Sequence, residues 1–217
     1  MAVATLHYIH DPLCGWCYAA QPLVSAVADT LGDRVSIRLH GGGLFDEART
    51  LDPELAAHIV HADERIGSLS GQPFGKPYLE GLLAEQGTVL FSLPPTAALL
   101  AADALDAGKA YPLLVAIQNA HYQRGLRVVE PSVLTELAVE AGVDGDAFER
   151  SFAQLQGTAT IEHLQASRRL LREVGGQGFP TMALEIHGKR QILPHHYDYG
   201  RPAAFVNRVA ALLPAVH

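Results

Sequence analysis

The chain has two cysteines, and both lie in Asp11-Pro12-Leu13-Cys14-Gly15-Trp16-Cys17-Tyr18, with two residues between them. Sulfur at this spacing has a definite chemistry. A thiolate attacks a disulfide to form a mixed disulfide, and a second sulfur within one helical turn can displace the bound partner. The flanking residues put the pair at the start of a helix. Unpaired N–H groups and the positive end of the helix dipole favour thiolate there over thiol. Only one sulfur can face outward from such a turn, so Cys14 is expected to be exposed and Cys17 buried behind it.

Other uses of paired cysteines fit less well. A structural zinc ion takes four ligands, and the missing two would have to come from eleven histidines. The tidiest histidine pair, His58 and His61, lies in a distant helical stretch, and the usual paired-motif spacing is absent. A purely structural disulfide closing so small a loop removes little entropy from the unfolded chain. Two inert core thiols are the remaining alternative. No metal is assigned.

The elements that must hold the pair are legible on either side. Val3, Leu6, Tyr8 and Ile9 form a short β-prone segment before it. After it, Leu23, Val24, Val27 and Leu31 recur at helical spacing and Gly32 stops the run. Pro22 lies inside this helix and is expected to bend it. Residues 34–40 alternate apolar and polar, the pattern of a half-buried strand. Together these form a βαβ unit, expected to be parallel and right-handed. Gly41-Gly42-Gly43 lacks the Lys-Ser or Lys-Thr of a phosphate loop and reads as conformational freedom at a domain exit.

From about residue 52 to about 173 the periodicity is helical throughout. Asp52-Pro53-Glu54 is a helix start, with a capping side chain and proline at the first turn. Leu55, Ile59 and Ile66 give its apolar stripe, and Gly71 ends it before a loop over 71–77. Further helices are expected over 95–105, 111–122, 131–141 and 146–154. His58, His61, His121 and His163 fall on this block; they could form a polar pocket facing the thiols, but they read better as scattered, solvent-facing or satisfied side chains. Strands return at 181–186 and 190–193 around a His187-Gly188 turn. His195-His196 reads as a polar surface loop. A last helix opens at Gly200-Arg201-Pro202, with Phe205, Val209 and Leu212 on one side.

Composition sets the outer bounds. A chain of 217 residues, 48% apolar and 18% charged, buries a proper core. Its net charge of −7 argues against non-specific nucleic-acid binding. No apolar run nears the ~18 residues that span a bilayer, so no membrane role is expected. The first ten residues carry no basic region, apolar core or small-residue cleavage site, and a cytoplasmic protein is expected. Paired cysteines in that compartment are more often catalytic or metal-binding than structural.

The order β-CxxC-α-β, helical insertion, α-β-β-α, with Gly175-x-x-Gly178-Phe179-Pro180-Thr181 before the third strand, resembles the DsbA family of thiol-disulfide oxidoreductases. The similarity is greatest to its cytosolic FrnE-like branch, and it covers most of the chain. It implies an α/β thioredoxin-like fold with an inserted all-helical subdomain. The core would be residues 1–43 and 174–217 and the insertion 44–173, whose last helix packs on the core. It further implies that Cys14 attacks, Cys17 resolves and Pro180 is a cis proline beside the sulfurs. A cis X–Pro bond needs little help from tertiary contacts. Trp16, Phe179 and Thr181 are then the substrate-binding candidates, with the Phe179 backbone pairing to an extended substrate segment. Partners would be protein or small-molecule thiols and disulfides. No cofactor is expected beyond the redox-active pair, with glutathione as a candidate co-substrate.

Two features depart from the periplasmic oxidant of that family. The dipeptide between the sulfurs is Gly15-Trp16, which puts no imidazolium there, and Asp11 nearby disfavours a thiolate. Glutathione-dependent isomerases and kappa-class transferases share the superfamily, but they do not depend on a second cysteine, so Cys17 argues against them. A binding protein that merely inherited the fold is a further alternative. The direction of exchange follows from a potential that residue types do not encode.

Overall fold

The structure is a computed structural model, and it describes residues 2–215. Strand β1 (Ala4–His10) leads through the cysteine turn into α1 (Gly15–Leu31) and then β2 (Val35–Gly41). The chain returns much later with β5 (Thr181–Ile186), β6 (Lys189–Ile192) and α8 (Pro202–Leu212). These strands form one sheet in the order β2-β1-β5-β6. β1 runs parallel to β2 and antiparallel to β5, with Leu6 level with Ile37 on one side and Leu184 on the other. Six of the seven β1 residues, all but Thr5, are buried, as expected of a central strand with both edges paired.

Helix α1 buries Leu23, Val24, Val27 and Leu31 and packs against α8, so the period-3.6 stripe meets a second helix. Pro22 has no N–H, which leaves the carbonyl of Tyr18 without its helical donor. The Gln72 side-chain amide donates to that oxygen at 2.9 Å. A residue from the loop after the next helix thus mends the break.

The helical block begins with α2 (Pro53–Ser70), capped by Asp52 through a 2.8 Å bond from the Leu55 N–H and closed by Gly71 at φ 75°. Then come α3 (Leu93–Leu105), α4 (Ala110–Tyr122), α5 (Pro131–Glu140), α6 (Gly145–Leu155) and α7 (Thr158–Glu173). Pro94 and Pro95 both sit in the first turn of α3, where no intrahelical N–H is required. α7 packs on β2, where His163 Nε2 accepts the Gly41 N–H at 3.0 Å.

Three expectations need correction. The block is not helical throughout, because β3 (Arg49–Thr50) and β4 (Val89–Leu90) form a short antiparallel pair across it. Residues Pro77–Leu82 make a π-helical turn in a stretch with no clear period. After Val209 the inward position is Leu213, just past the end of α8, whereas Leu212 is 40% exposed. The stripe advances by four there, not by three. Among the described residues, no helix is long and apolar enough to cross a membrane.

Candidate active site

Asp11 builds the turn that presents the sulfurs. Its side chain is fully buried. Oδ1 accepts from the Leu13 N–H at 2.8 Å and from Ser92 Oγ at 3.0 Å, and Oδ2 accepts from the Leu44 N–H at 2.7 Å. One carboxyl thereby ties together the redox turn, the segment after Gly43 and the start of α3. Burial pushes its pKa above the usual carboxylate range, and the donors from Leu44, Leu13 and Ser92 pull it back down. Cys14 then takes the extended backbone of an N-cap, and its carbonyl accepts from the N–H groups of Cys17 and Tyr18.

Both sulfurs are free thiols. The expected exposure of Cys14 is not found, since it is 6% exposed against 0% for Cys17. The helical block covers the turn, which the local sequence does not reveal. The asymmetry takes another form: Cys14 faces a cavity and Cys17 lies behind it. Cys14 Sγ approaches the Phe179 carbonyl at 3.6 Å, and Cys17 Sγ accepts the Asp11 N–H at 3.4 Å. Burial pushes the Cys17 thiol well above the ordinary range. The neighbouring Cys14 adds to this, and the Asp11 N–H opposes it.

The Phe179–Pro180 peptide bond is cis, and Pro180 is buried. Phe179 is half-buried with its ring against Gly42, where a Cβ would stand 2.0 Å from the ring. Close approach, not freedom at a domain exit, therefore dictates the middle glycine of Gly41-Gly42-Gly43. Arg168 on α7 holds this run, donating to the carbonyls of Gly42 at 2.9 Å and Gly43 at 2.7 Å, and to Asp46. Trp16 is half-buried, its ring 5.4 Å from that of Tyr199. Thr181 is buried and bonds back to the Gly178 carbonyl at 2.8 Å, and it does not line the cavity.

The cavity has a volume of about 770 Å³. Cys14, Gly15, Trp16 and Phe179 form one side, and the helical block supplies Asp63, Ile66, Tyr78, His121 and Tyr122 on the other. Asp63 is 4% exposed and accepts from Tyr78 Oη at 2.8 Å. Burial raises its carboxyl to about 7, with the Tyr78 bond working the other way. His121 is not among the solvent-facing histidines. It is buried, its Nδ1 has no partner among the described residues, and burial lowers its pKa to about 4. Its ring lies 5.1 Å from that of Tyr78 and 4.7 Å from that of Tyr122. His58 and His61 stay exposed on α2.

Asp63 and Tyr78 were missed from the sequence as site residues, and His121 was set aside with the scattered histidines although it lines the cavity beside Cys14. One signal pointed to the first of them. Ile59, Asp63 and Ile66 follow the i, i+4, i+7 spacing of a buried face, so a carboxylate interrupts an apolar stripe.

Comparison with known proteins agrees with this geometry. A family described as the DSBA-like thioredoxin domain matches residues 5–196. The solved structure of the cytosolic disulfide reductase DsbM from Pseudomonas aeruginosa is 43% identical over 95% of this chain and 97% of that one, with a TM-score of 0.88. A second structure of that reductase, with GSH, is 42% identical over 95% and 98% of the two chains, with a TM-score of 0.86. A putative protein disulfide isomerase from Nitrosomonas europaea shares the fold at 24% identity over 96% of both chains, with a TM-score of 0.78. No curated protein sequence matches. With Cys14-Gly15-Trp16-Cys17 at the head of α1, the cis-Pro180 loop across from it and a match over most of its length, this chain belongs to the DsbA-like thioredoxin family of thiol-disulfide oxidoreductases.

Proposed function

We propose that this thiol-disulfide oxidoreductase works as a reductase of small-molecule disulfides, with glutathione as its thiol co-substrate. One observation carries the reading: the attacking sulfur is 6% exposed and opens into a cavity of about 770 Å³. A small disulfide fits such a space, whereas a folded protein chain must be opened to reach it. The similarity to a cytosolic disulfide reductase, one of whose structures holds GSH, supports the same choice.

The reaction follows from the arrangement. Cys14 thiolate attacks a disulfide RS–SR, the S–S bond breaks, and a Cys14–S–SR mixed disulfide forms as one RS⁻ departs. Cys17 loses its proton and attacks Cys14 Sγ, which releases the second RS⁻ and closes the Cys14–Cys17 disulfide. One glutathione thiolate opens that disulfide at Cys14, and a second displaces the bound glutathione as its own disulfide. The substrate gains two electrons and two glutathiones lose them. The redox couple is the cysteine pair itself, so no cofactor is needed. Trp16 and the Phe179 backbone flank the entering substrate. A cytoplasmic setting, where thiols are kept reduced, suits this direction, and the −7 charge suits neither nucleic acid nor an anionic membrane surface.

Initial rates with a small alkyl disulfide and with insulin, each coupled to glutathione oxidation, test the reading. The small disulfide should be reduced much faster, and Cys14→Ser should abolish both rates. Equal rates for insulin, or turnover surviving in Cys14→Ser, would contradict it.

A further inference from the structure

A carboxyl group shares the cavity with the attacking sulfur. Asp63 on α2 is buried, and among the described residues no cation pairs with it. Oδ2 is engaged by Tyr78 Oη. Oδ1 has no donor among the described residues, and it lies 2.6 Å from where a Cβ on Gly15 would stand. The free oxygen is therefore placed over the residue that follows Cys14, at the first turn of α1. Burying a carboxyl without a counter-charge is costly, and here the cost is borne beside the reacting sulfur. The cavity's inner wall also presents His121, buried and with an unpartnered Nδ1. A polar wall of this kind suits a reaction that handles charge better than it suits simple packing.

We propose that Asp63 is a catalytic proton donor, protonating the thiolate expelled from the substrate when Cys14 attacks. The proposal rests on the reading of Cys14 as the attacking sulfur. As the S–S bond breaks, one substrate sulfur joins Cys14 and the other leaves as RS⁻. That sulfur takes the proton from Asp63 Oδ1 and departs as RSH. Asp63 is left as the carboxylate while Cys17 closes the disulfide. In the second half of the cycle the same carboxylate accepts the proton of the incoming glutathione thiol.

The acidity is suited to both halves. Burial holds Asp63 at about 7, below the ~8.5 of a free alkyl thiol, so donation to RS⁻ is downhill while both forms are populated near neutrality. The other groups around it do not compete. Tyr78 and Tyr122 are pushed well above the ordinary tyrosine range and His121 down to about 4, in each case by burial first. Cys14 faces it from α1. His58 on α2 and Asp46, Glu47 and Arg49 on the preceding segment line the outer cavity and are exposed; His61, exposed on α2 and outside the cavity, is the control for a surface histidine.

The test compares leaving groups. Rates of mixed-disulfide formation are measured on the Cys17→Ser protein with a symmetric alkyl disulfide and with an aryl disulfide whose thiolate needs no proton. Asp63→Asn should slow the alkyl reaction by roughly tenfold or more near neutral pH and leave the aryl reaction unchanged, and His61→Gln should change neither. Equal slowing of both, or of neither, overturns the proposal. Reaction persisting in Cys14→Ser would instead overturn the reading on which it rests. If Asp63→Asn does not fold, Tyr78→Phe serves. Losing that hydrogen bond should move the inflection in the alkyl pH–rate profile upward, and an unmoved inflection is equally fatal.

Discussion

Gly15 is glycine because its Cβ would stand 2.6 Å from Asp63 Oδ1 and 2.9 Å from the Ile66 Cδ1 atom. The first residue between the sulfurs is thus fixed by a helix nearly fifty positions away, not by the chemistry of the dithiol alone. Larger residues at this place must displace α2 or turn the carboxyl out of the cavity. Gly15→Ala is therefore expected to lower stability by about 1–3 kcal/mol, the usual range for overpacking a filled site. Since the clash has a named partner, Asp63→Ala should relieve part of it, and the two changes should be non-additive. Denaturant unfolding of both single variants and the double variant measures the coupling. Strict additivity would mean that the two side chains do not meet.

At the scale of elements, what was legible followed local pattern, and what was not depended on distant contact. The β1–α1–β2 unit could be read from period-2 and period-3.6 stripes, and α2 from Asp52 and Gly71 at its ends, because caps and stripes act over a few residues. The π-helical turn at Pro77–Leu82 and the β3–β4 pair carry no period long enough to read. They are set by neighbours across the block, as when the Gly75 N–H bonds to the Tyr122 carbonyl. The cysteines and Pro180 were found from motif and resemblance. The cavity around Cys14 was not, because its far wall comes from α2, the π-helical turn and α4. Asp63 alone left a trace, a charge on an apolar stripe, and tertiary placement gives that trace its meaning. Thr181 shows the reverse. Position next to the proline suggested a substrate contact, yet its hydroxyl is spent on Gly178.

For the whole molecule, buried histidines set the response to acid. His10 is fully buried with both ring nitrogens unpartnered among the described residues, and burial lowers its pKa to about 3. His40, also chiefly through burial, lies at about 3, and His121 at about 4. Below the ordinary value of 6.5 the unfolded chain takes up protons that the folded chain refuses, so stability is full above that value and falls as pH drops toward 3. Asp63 acts in the opposite sense. Raised from 3.8 to about 7, it holds a proton in the folded state that the unfolded chain releases, so its contribution is lost as pH rises through that window. Three histidines outweigh one carboxyl, and the protein should be acid-labile. His10→Phe keeps the ring that stacks on Tyr8 and removes one titration. Its stability should fall less steeply on acidification, by up to about 1.4 kcal/mol per pH unit. Denaturant midpoints from neutral to moderately acid pH check this, and an unchanged slope would mean that His10 is not held neutral.

The central claim is that Cys14, walled in by the helical block, is the sulfur that meets a small disulfide and Cys17 is the one that releases it. Intact-mass analysis with peptide mapping of Cys17→Ser and Cys14→Ser proteins, each reduced and then mixed with glutathione disulfide, tests it most directly. The account predicts one stable glutathione adduct on Cys14 in Cys17→Ser and none in Cys14→Ser. An adduct on Cys17 in Cys14→Ser at a comparable rate, or no adduct in either protein, would contradict it.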